Sequence, residues 1–473
     1  MIQAEKVTRF FTSISPELLD RSLIFLARSK SLARWMTRSE QKKLKSLSQP
    51  KKILVVPDIN IGDALLLQSF IQKIKDCFPD SQIHYIYQHK AHPLIKNNPY
   101  IEKQYPLFQG KGIPTSSDTA HLLRLLKSVD YDIIFNICPY FSPELFRTAG
   151  SRALHSLRLM AEIIKSYAEK DTTAHLAHRA GEYAADLGQK ISGEKCSKPA
   201  GSHYQTYFFA DEKVIQKTEK AIRELHIDTQ KTTILFNPDS ASLYTFIPFA
   251  LQLNLLEGIL SLETVEQLLI NCGRTFKHIE KSILNSLPEK LKEKIIIIPE
   301  NIPIDVYAAL SDHAKMFISG DTGPMHIAAA HKILLESPDY FNNTTALIGI
   351  FGGTSSKIYG YDSFSDSHLS PSQNAPAKVF EGRPPCKNLT CIDKIYKKCK
   401  RIRCFEGVNC SAILHYIESY LGLDKTVSTP FSSVTFNPIN NIENQRDRQE
   451  KKGQKNGFPL PKFFNKFIKT IKP

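Results

Sequence analysis

The sequence predicts an α/β protein of two doubly wound parallel sheets facing a central cleft, and three observations carry that expectation. Short β-branched runs alternate with helical stretches from residue 51 onward, the pattern of βαβ units joined by right-handed crossovers. The alternation occurs twice, on either side of the mainly helical residues 142–195. The 473 residues, 42% hydrophobic, 10% aromatic and 23% charged, are ordinary globular chain, enough for two or three packed cores.

Each element follows from its local pattern. Residues 51–56 (KKILVV) read as a buried strand ended by Pro57, and residues 64–77 as an amphipathic helix closed by Pro79. Residues 83–87 form the next strand, 118–128 a helix and 132–137 a strand. The second series has strands at 232–236, 267–271, 294–298, 315–319 and 346–351, with helices between them. After Gly352 the pattern loosens into Ser/Pro/Gly-rich loop up to about Pro385, then a Cys-rich segment and a helix over 411–421. The expected boundaries are a basic helical extension 1–50, a first α/β domain 51–205, a second α/β domain 206–355, a loop, Cys-rich segment and closing helix 356–424, and a basic tail 425–473. Ligands of such sheets bind beyond the carboxyl ends of the strands, so the active site is expected in the cleft between the halves.

The net charge of +15 sits at the ends. Residues 1–50 hold ten Lys/Arg against four Asp/Glu and residues 425–473 ten against three, which leaves 42 against 40 for 51–424. A neutral body with basic appendages points to an anionic membrane surface as partner and away from nucleic acid, with solubility alone as the competing explanation. No apolar run approaches the roughly 20 residues of a membrane span. The first eleven residues lack the apolar core of a secretory signal, so the chain is expected in the cytoplasm with its nine cysteines mostly reduced.

Two loops carry the chemistry. The first strand runs into Pro57-Asp58-Ile59-Asn60-Ile61-Gly62-Asp63, where Gly62 permits a tight turn. Asp63 either caps the following helix or serves as a general base at a cleft-facing strand end. The later strand runs into Gly320-Asp321-Thr322-Gly323-Pro324-Met325-His326. Pro324 suits a first helical position, and the free amides of that helix start form a seat for a diphosphate. Thr322 adds a hydroxyl, Gly323 allows close approach, and His326 either points toward the ligand or is simply packed.

With these motifs in this order, the sequence resembles glycosyltransferase family 9, the heptosyltransferases of the lipopolysaccharide inner core. Asn98-Pro99-Tyr100-Ile101, Asn237-Pro238 and Ile350-Phe351-Gly352 followed by Thr354-Ser355 also match that family's wording, and the likeness covers about 51–420. The resemblance implies a GT-B fold and inverting transfer of heptose or a related sugar from a nucleotide-activated donor, typically ADP-heptose, to a lipid-linked saccharide acceptor. It implies Asp63 as general base, Asp321, Thr322, Gly323 and His326 as donor-binding, and Gly62, Asn237 and Ser240 as substrate-loop residues. No metal and no cofactor are implied, so helix-end amides must stabilise the leaving diphosphate. The enzyme would work peripherally on the inner membrane.

One departure matters. The family usually places a basic residue in the loop after the first strand of the second half, yet residues 237–248 (NPDSASLYTFIP) hold no Lys or Arg. Loss of a charge-assisted phosphate contact costs on the order of a few kcal/mol unless Arg274, Lys277 or Lys357 substitutes. It keeps open a non-catalytic or specificity-altered relative that binds nucleotide or glycan. An epimerase or dehydrogenase is disfavoured, because no Gly-x-Gly-x-x-Gly follows the first strand.

Two further features lie outside this scheme. Cys386, Cys391, Cys399, Cys404 and Cys410 are dense enough for a structural metal or redox pairs, but lack a Cys-x2-Cys knuckle and read equally as plain thiols. Residues 458–473 (FPLPKFFNKFIKTIKP) place Phe463, Phe464, Phe467, Ile468 and Ile471 on one helical face among lysines. That is the composition of an interfacial helix, or of a solubilising tail. Residues 15–47 read as a basic helix bearing Trp35.

Overall fold

The computed structural model describes residues 47, 49–57, 61–108, 115–136, 154–155, 175–193, 206–240, 244–271, 273, 284–362, 375–383 and 403–422. All belong to one compact unit, Met1–Leu423. The basic helix of the N-terminal extension, the tail 425–473, and Cys386, Cys391 and Cys399 fall outside the described residues.

The first half runs β1 (Lys52–Val56), α1 (Ile61–Leu66), α2 (Gln68–Cys77), β2 (Gln82–Gln88), α3 (His92–Ile95), β3 (Lys103–Phe108), α4 (Ser116–Ser128), β4 (Ile133–Asn136), β5 (Leu154–His155) and α5 (Leu176–Ser192). The sheet order is β3-β2-β1-β4-β5, every pair parallel. β1 is covered on both faces, as a central parallel strand must be. Ile53 and Val55 pack with Phe70, Ile71 and Ile74 of α2 and with Ala180 and Ala184 of α5. Leu54 and Val56 pack with Leu122, Leu125 and Leu126 of α4. The Ser69 hydroxyl donates to the Ala177 carbonyl at 2.7 Å and ties α2 to α5.

The helix expected over 64–77 is two segments joined through Leu67, whose N–H donates to the Asp63 carbonyl at 3.1 Å. It begins three residues earlier than the hydrophobic pattern suggests. β3 was not expected, since Pro106 interrupts its sequence; it is an edge strand, where the missing N–H of a proline costs no ladder bond.

The second half runs β6 (Tyr207–Ala210), α6 (Glu212–Glu224), β7 (Thr233–Asn237), α7 (Phe249–Ser261), β8 (Gln267–Asn271), α8 (Glu289–Lys292), β9 (Ile295–Ile298), α9 (Ile304–Leu310), β10 (Met316–Gly320), α10 (Gly323–Ala329), β11 (His331–Leu334), β12 (Ala346–Phe351), α11 (Ser356–Tyr359), β13 (Ala377–Glu381) and α12 (Cys410–Tyr420). The main sheet is parallel, ordered β13-β12-β10-β7-β8-β9, and β6 pairs with β11 in a small separate parallel sheet. One face carries α7 and α12, with Leu253, Leu256, Ile413 and Ile417 packed over Phe236 and Ile318. On the other face Leu235, Phe317 and Leu347 join a core that includes Met325 of α10 and Leu65 and Leu66 of α1. The two halves therefore share apolar contacts at the helices that follow their central strands.

The segment after Gly352, expected to be loose loop, contains α11 and the edge strand β13. Ala377 of β13 is fully buried against β12, whereas its neighbours are half-buried, which blurs any periodic signal. Cys77 is disulfide-bonded, while Cys404 and Cys410 are free thiols.

Candidate functional site

In the second sheet the chain lays β8 and β9 on one side of β7, then crosses to lay β10, β12 and β13 on the other. Loops leaving β7 and β10 diverge at that reversal, the place where such sheets open a crevice for ligands. A hydrogen-bonded cluster ties the two strand ends together. The Asn237 amide donates to the Ser319 hydroxyl at 2.9 Å, the Thr322 hydroxyl at 3.2 Å and the Asp239 carbonyl at 3.1 Å. Its oxygen accepts from the Asn271 amide at 2.7 Å. Ser319 and Thr322 share a hydrogen bond of 3.0 Å, and the Ser240 hydroxyl pairs with that of Thr245. Asn237 and Ser319 are buried, so their polar groups need these partners. A Cβ on Gly320 would lie 2.7 Å from the Thr245 carbonyl oxygen, so the loop after β7 fits against the end of β10 only past a glycine.

Thr322 caps no N–H of its own helix, because its hydroxyl is taken by Asn237 and Ser319. The N–H groups of Met325 and His326 donate back to the Thr322 carbonyl, and Pro324 has none. The Thr322 and Gly323 amides are thus left outside the helix's own hydrogen bonds.

The first half meets this turn directly. A Cβ on Gly62 would lie 2.7 Å from Cδ2 of His326, and one on Gly323 would lie 3.5 Å from Cβ of Ile61. The first turns of α1 and α10 therefore pack on each other. Asp63 is the third residue of α1, half-buried, and so is not the N-cap residue. Tyr85, on β2 opposite Val55, is fully buried; burial pushes its hydroxyl well above the usual range, and the Asp63 charge adds to this.

His326 is buried, with Nδ1 3.0 Å from the Tyr361 hydroxyl and Nε2 3.6 Å from Oδ1 of Asp321. His175, the N-cap of α5, has its ring 4.7 Å from that of Tyr361. Burial lowers His175 to about 3.

The loop after β7 carries no cation. Lys357 is exposed in α11, after a Gly-rich turn whose Gly353 N–H donates to the Tyr244 carbonyl at 3.0 Å. Arg274 and Lys277 lie outside the described residues. Among the described residues no group of three His, Cys, Asp or Glu is placed to hold a metal ion, and no helix is long and apolar enough to cross a membrane.

Asn271, Ser319, Tyr361 and His175 escaped the sequence reading. The first had a usable signal, since adjacent strands β7 and β8 both end in Asn. Tyr361 and His175 had none, being brought together only by the fold.

Residues 263–380 match the model of glycosyltransferase family 9 (heptosyltransferase). Lipopolysaccharide heptosyltransferase 3 of Escherichia coli (strain K12) is 22% identical over 304 residues, 62% of this chain and 80% of that protein. The solved family 9 glycosyltransferase from Veillonella parvula DSM 2008 superposes with a TM-score of 0.56 at 16% identity, covering 78% of this chain and 97% of its own. ADP-heptose lps heptosyltransferase II of E. coli gives 0.53 at 14% identity, covering 78% and 98%. These structural likenesses show the GT-B fold.

Proposed function

From the match of residues 263–380 to the glycosyltransferase family 9 model, we propose that this glycosyltransferase moves heptose or a related sugar from a nucleotide-activated donor, ADP-heptose first among candidates, to a lipopolysaccharide core-type acceptor. The observation that carries the proposal is the packing of α1 on α10, which puts Asp63 and the Thr322–Gly323 turn at one junction. Asp63 takes the proton of the acceptor hydroxyl. The oxygen attacks the anomeric carbon from the face opposite the leaving group, the bond to the diphosphate breaks with its electron pair, and configuration inverts. The Thr322 and Gly323 amides receive the charge that develops on the diphosphate. At seven residues α10 has a small dipole, so local N–H groups do more than the helix as a whole. Asp321 faces the donor sugar. Asn237, Ser319 and Asn271 hold the turn before the donor arrives, so little reorganisation remains for the reaction itself.

Incubation with ADP-heptose and a deacylated core acceptor tests this by mass: the acceptor gains one heptose. The absence of Lys and Arg from residues 237–248 favours a second reading, a relative that binds without transferring. ADP-heptose binding by calorimetry, with no turnover on any acceptor offered, would establish that reading instead. The basic ends are proposed to hold the protein on an anionic membrane face. Removing residues 458–473 should then reduce cosedimentation with vesicles containing phosphatidylglycerol, and unchanged cosedimentation would refute the role of the tail.

A further inference from the structure

The His326 side chain touches both parts of the proposed site. Its ring lies under Gly62 of α1, and its Nε2 faces Asp321. The tautomer of this ring decides whether that nitrogen attracts or repels the carboxylate. A neutral imidazole with its proton on Nδ1 would turn a lone pair toward Asp321; with the proton on Nε2 it offers a donor.

What sets the tautomer lies on the far side of the ring. Tyr361 is buried, and its hydroxyl is 3.0 Å from Nδ1. When the Tyr361 O–H donates to Nδ1, the imidazole proton sits on Nε2, where the Asp321 carboxylate attracts it. The His175 ring packs against that of Tyr361, tilted at 42°. These residues come from the start of α5, from α10 and from the turn after α11. The arrangement exists only when both halves are folded together.

We infer that Tyr361 is a positioning residue, which acts through His326 to hold the Asp321 carboxylate toward the donor sugar and to fix the ring on which the Asp63 helix rests. The inference rests on the proposed donor site. The gap of 3.6 Å between Nε2 and Asp321 is just beyond a hydrogen bond.

The test is Tyr361→Phe, which keeps the ring and removes only the O–H. Transfer from ADP-heptose should fall about tenfold or more in kcat, with the dissociation constant for ADP and the melting temperature little changed. Nitrogen-15 spectra of histidine-labelled protein should report His326 as the Nε2–H tautomer in the wild type. In the variant they should report a shift toward Nδ1–H, a readout that requires no substrate. An unchanged tautomer in Tyr361→Phe overturns the inference, as does a loss of ADP affinity and stability in proportion to kcat. If the wild type transfers nothing while the tautomer shifts as described, the relay stands and the assigned reaction fails.

Discussion

The first turns of α1 and α10 hold equivalent places in two sheets of one design, each following a central strand at its carboxyl end, yet they present opposite chemistry. The turn of α1 offers a half-buried carboxylate, Asp63. The turn of α10 offers backbone amides and a threonine whose hydroxyl is already tied to Asn237 and Ser319. In the proposed reaction one topology thus supplies both a proton acceptor and an anion seat. Around α10 side chains hold the turn, and the Thr322 and Gly323 amides stand outside the helix's own hydrogen bonds. Around α1 the backbone packs closely on His326, and the turn carries the Asp63 carboxylate.

That contrast can be broken from either side. Asp63→Asn, which removes the base and keeps the shape, should lower kcat by about 10²–10⁴ while ADP binds as before. Calorimetry beside a transfer assay checks both halves of that statement. Asn237→Ala strikes the other side: it leaves the hydroxyls of Ser319 and Thr322 and the Asn271 amide short of a partner. The expected cost is about 1–3 kcal/mol in stability, seen in urea unfolding, with ADP affinity falling and the Asp63 side intact.

Gly62→Ala sharpens the comparison at the contact itself. The added Cβ meets the His326 ring at 2.7 Å, and that ring is fixed by Tyr361. Overpacking there should destabilise by about 1–3 kcal/mol and slow transfer, while Gly193→Ala, where a Cβ would meet nothing within 4 Å, pays only for its positive φ and should leave kcat alone.

The gentlest effect is on pH dependence. His175 is held near 3 in the folded chain against an ordinary 6.5, so as pH falls the unfolded state takes up its proton first. The contribution to stability is complete above about 6.5 and is lost toward pH 3, by about 1.4 kcal/mol per pH unit. Melting curves from pH 4 to 7 should show that slope. His175→Asn should flatten it, since Asn keeps an acceptor for the Ala177 N–H that the His175 Nδ1 now receives at 3.2 Å while losing the ionisation.

The central strands were legible because burial on both faces demands unbroken apolar runs, as in Ile53–Val56 and Ala346–Phe351. Two edge strands were not: β3 contains Pro106 and β13 contains Lys378 and Glu381, residues an edge tolerates and a sequence pattern rejects, whereas the edge strand β9 is an unbroken isoleucine run and was legible. In the site, the strand-Gly-Asp and Asp-Thr-Gly-Pro-Met-His strings marked the two turns, since glycine at close approaches and proline at a helix start have local causes. His175 and Tyr361 were invisible for the opposite reason. Their partners are 186 and 35 residues away along the chain, and no local spacing encodes them.

The most direct measurement is a crystal structure with a non-transferable nucleotide-sugar bound. The account predicts its diphosphate on the Thr322 and Gly323 amides, its sugar beside Asp321, and the Asp63 carboxylate on the face of the anomeric carbon opposite the phosphate. A donor seated elsewhere, or an Asp63 carboxylate on the same face as the leaving group, would contradict it.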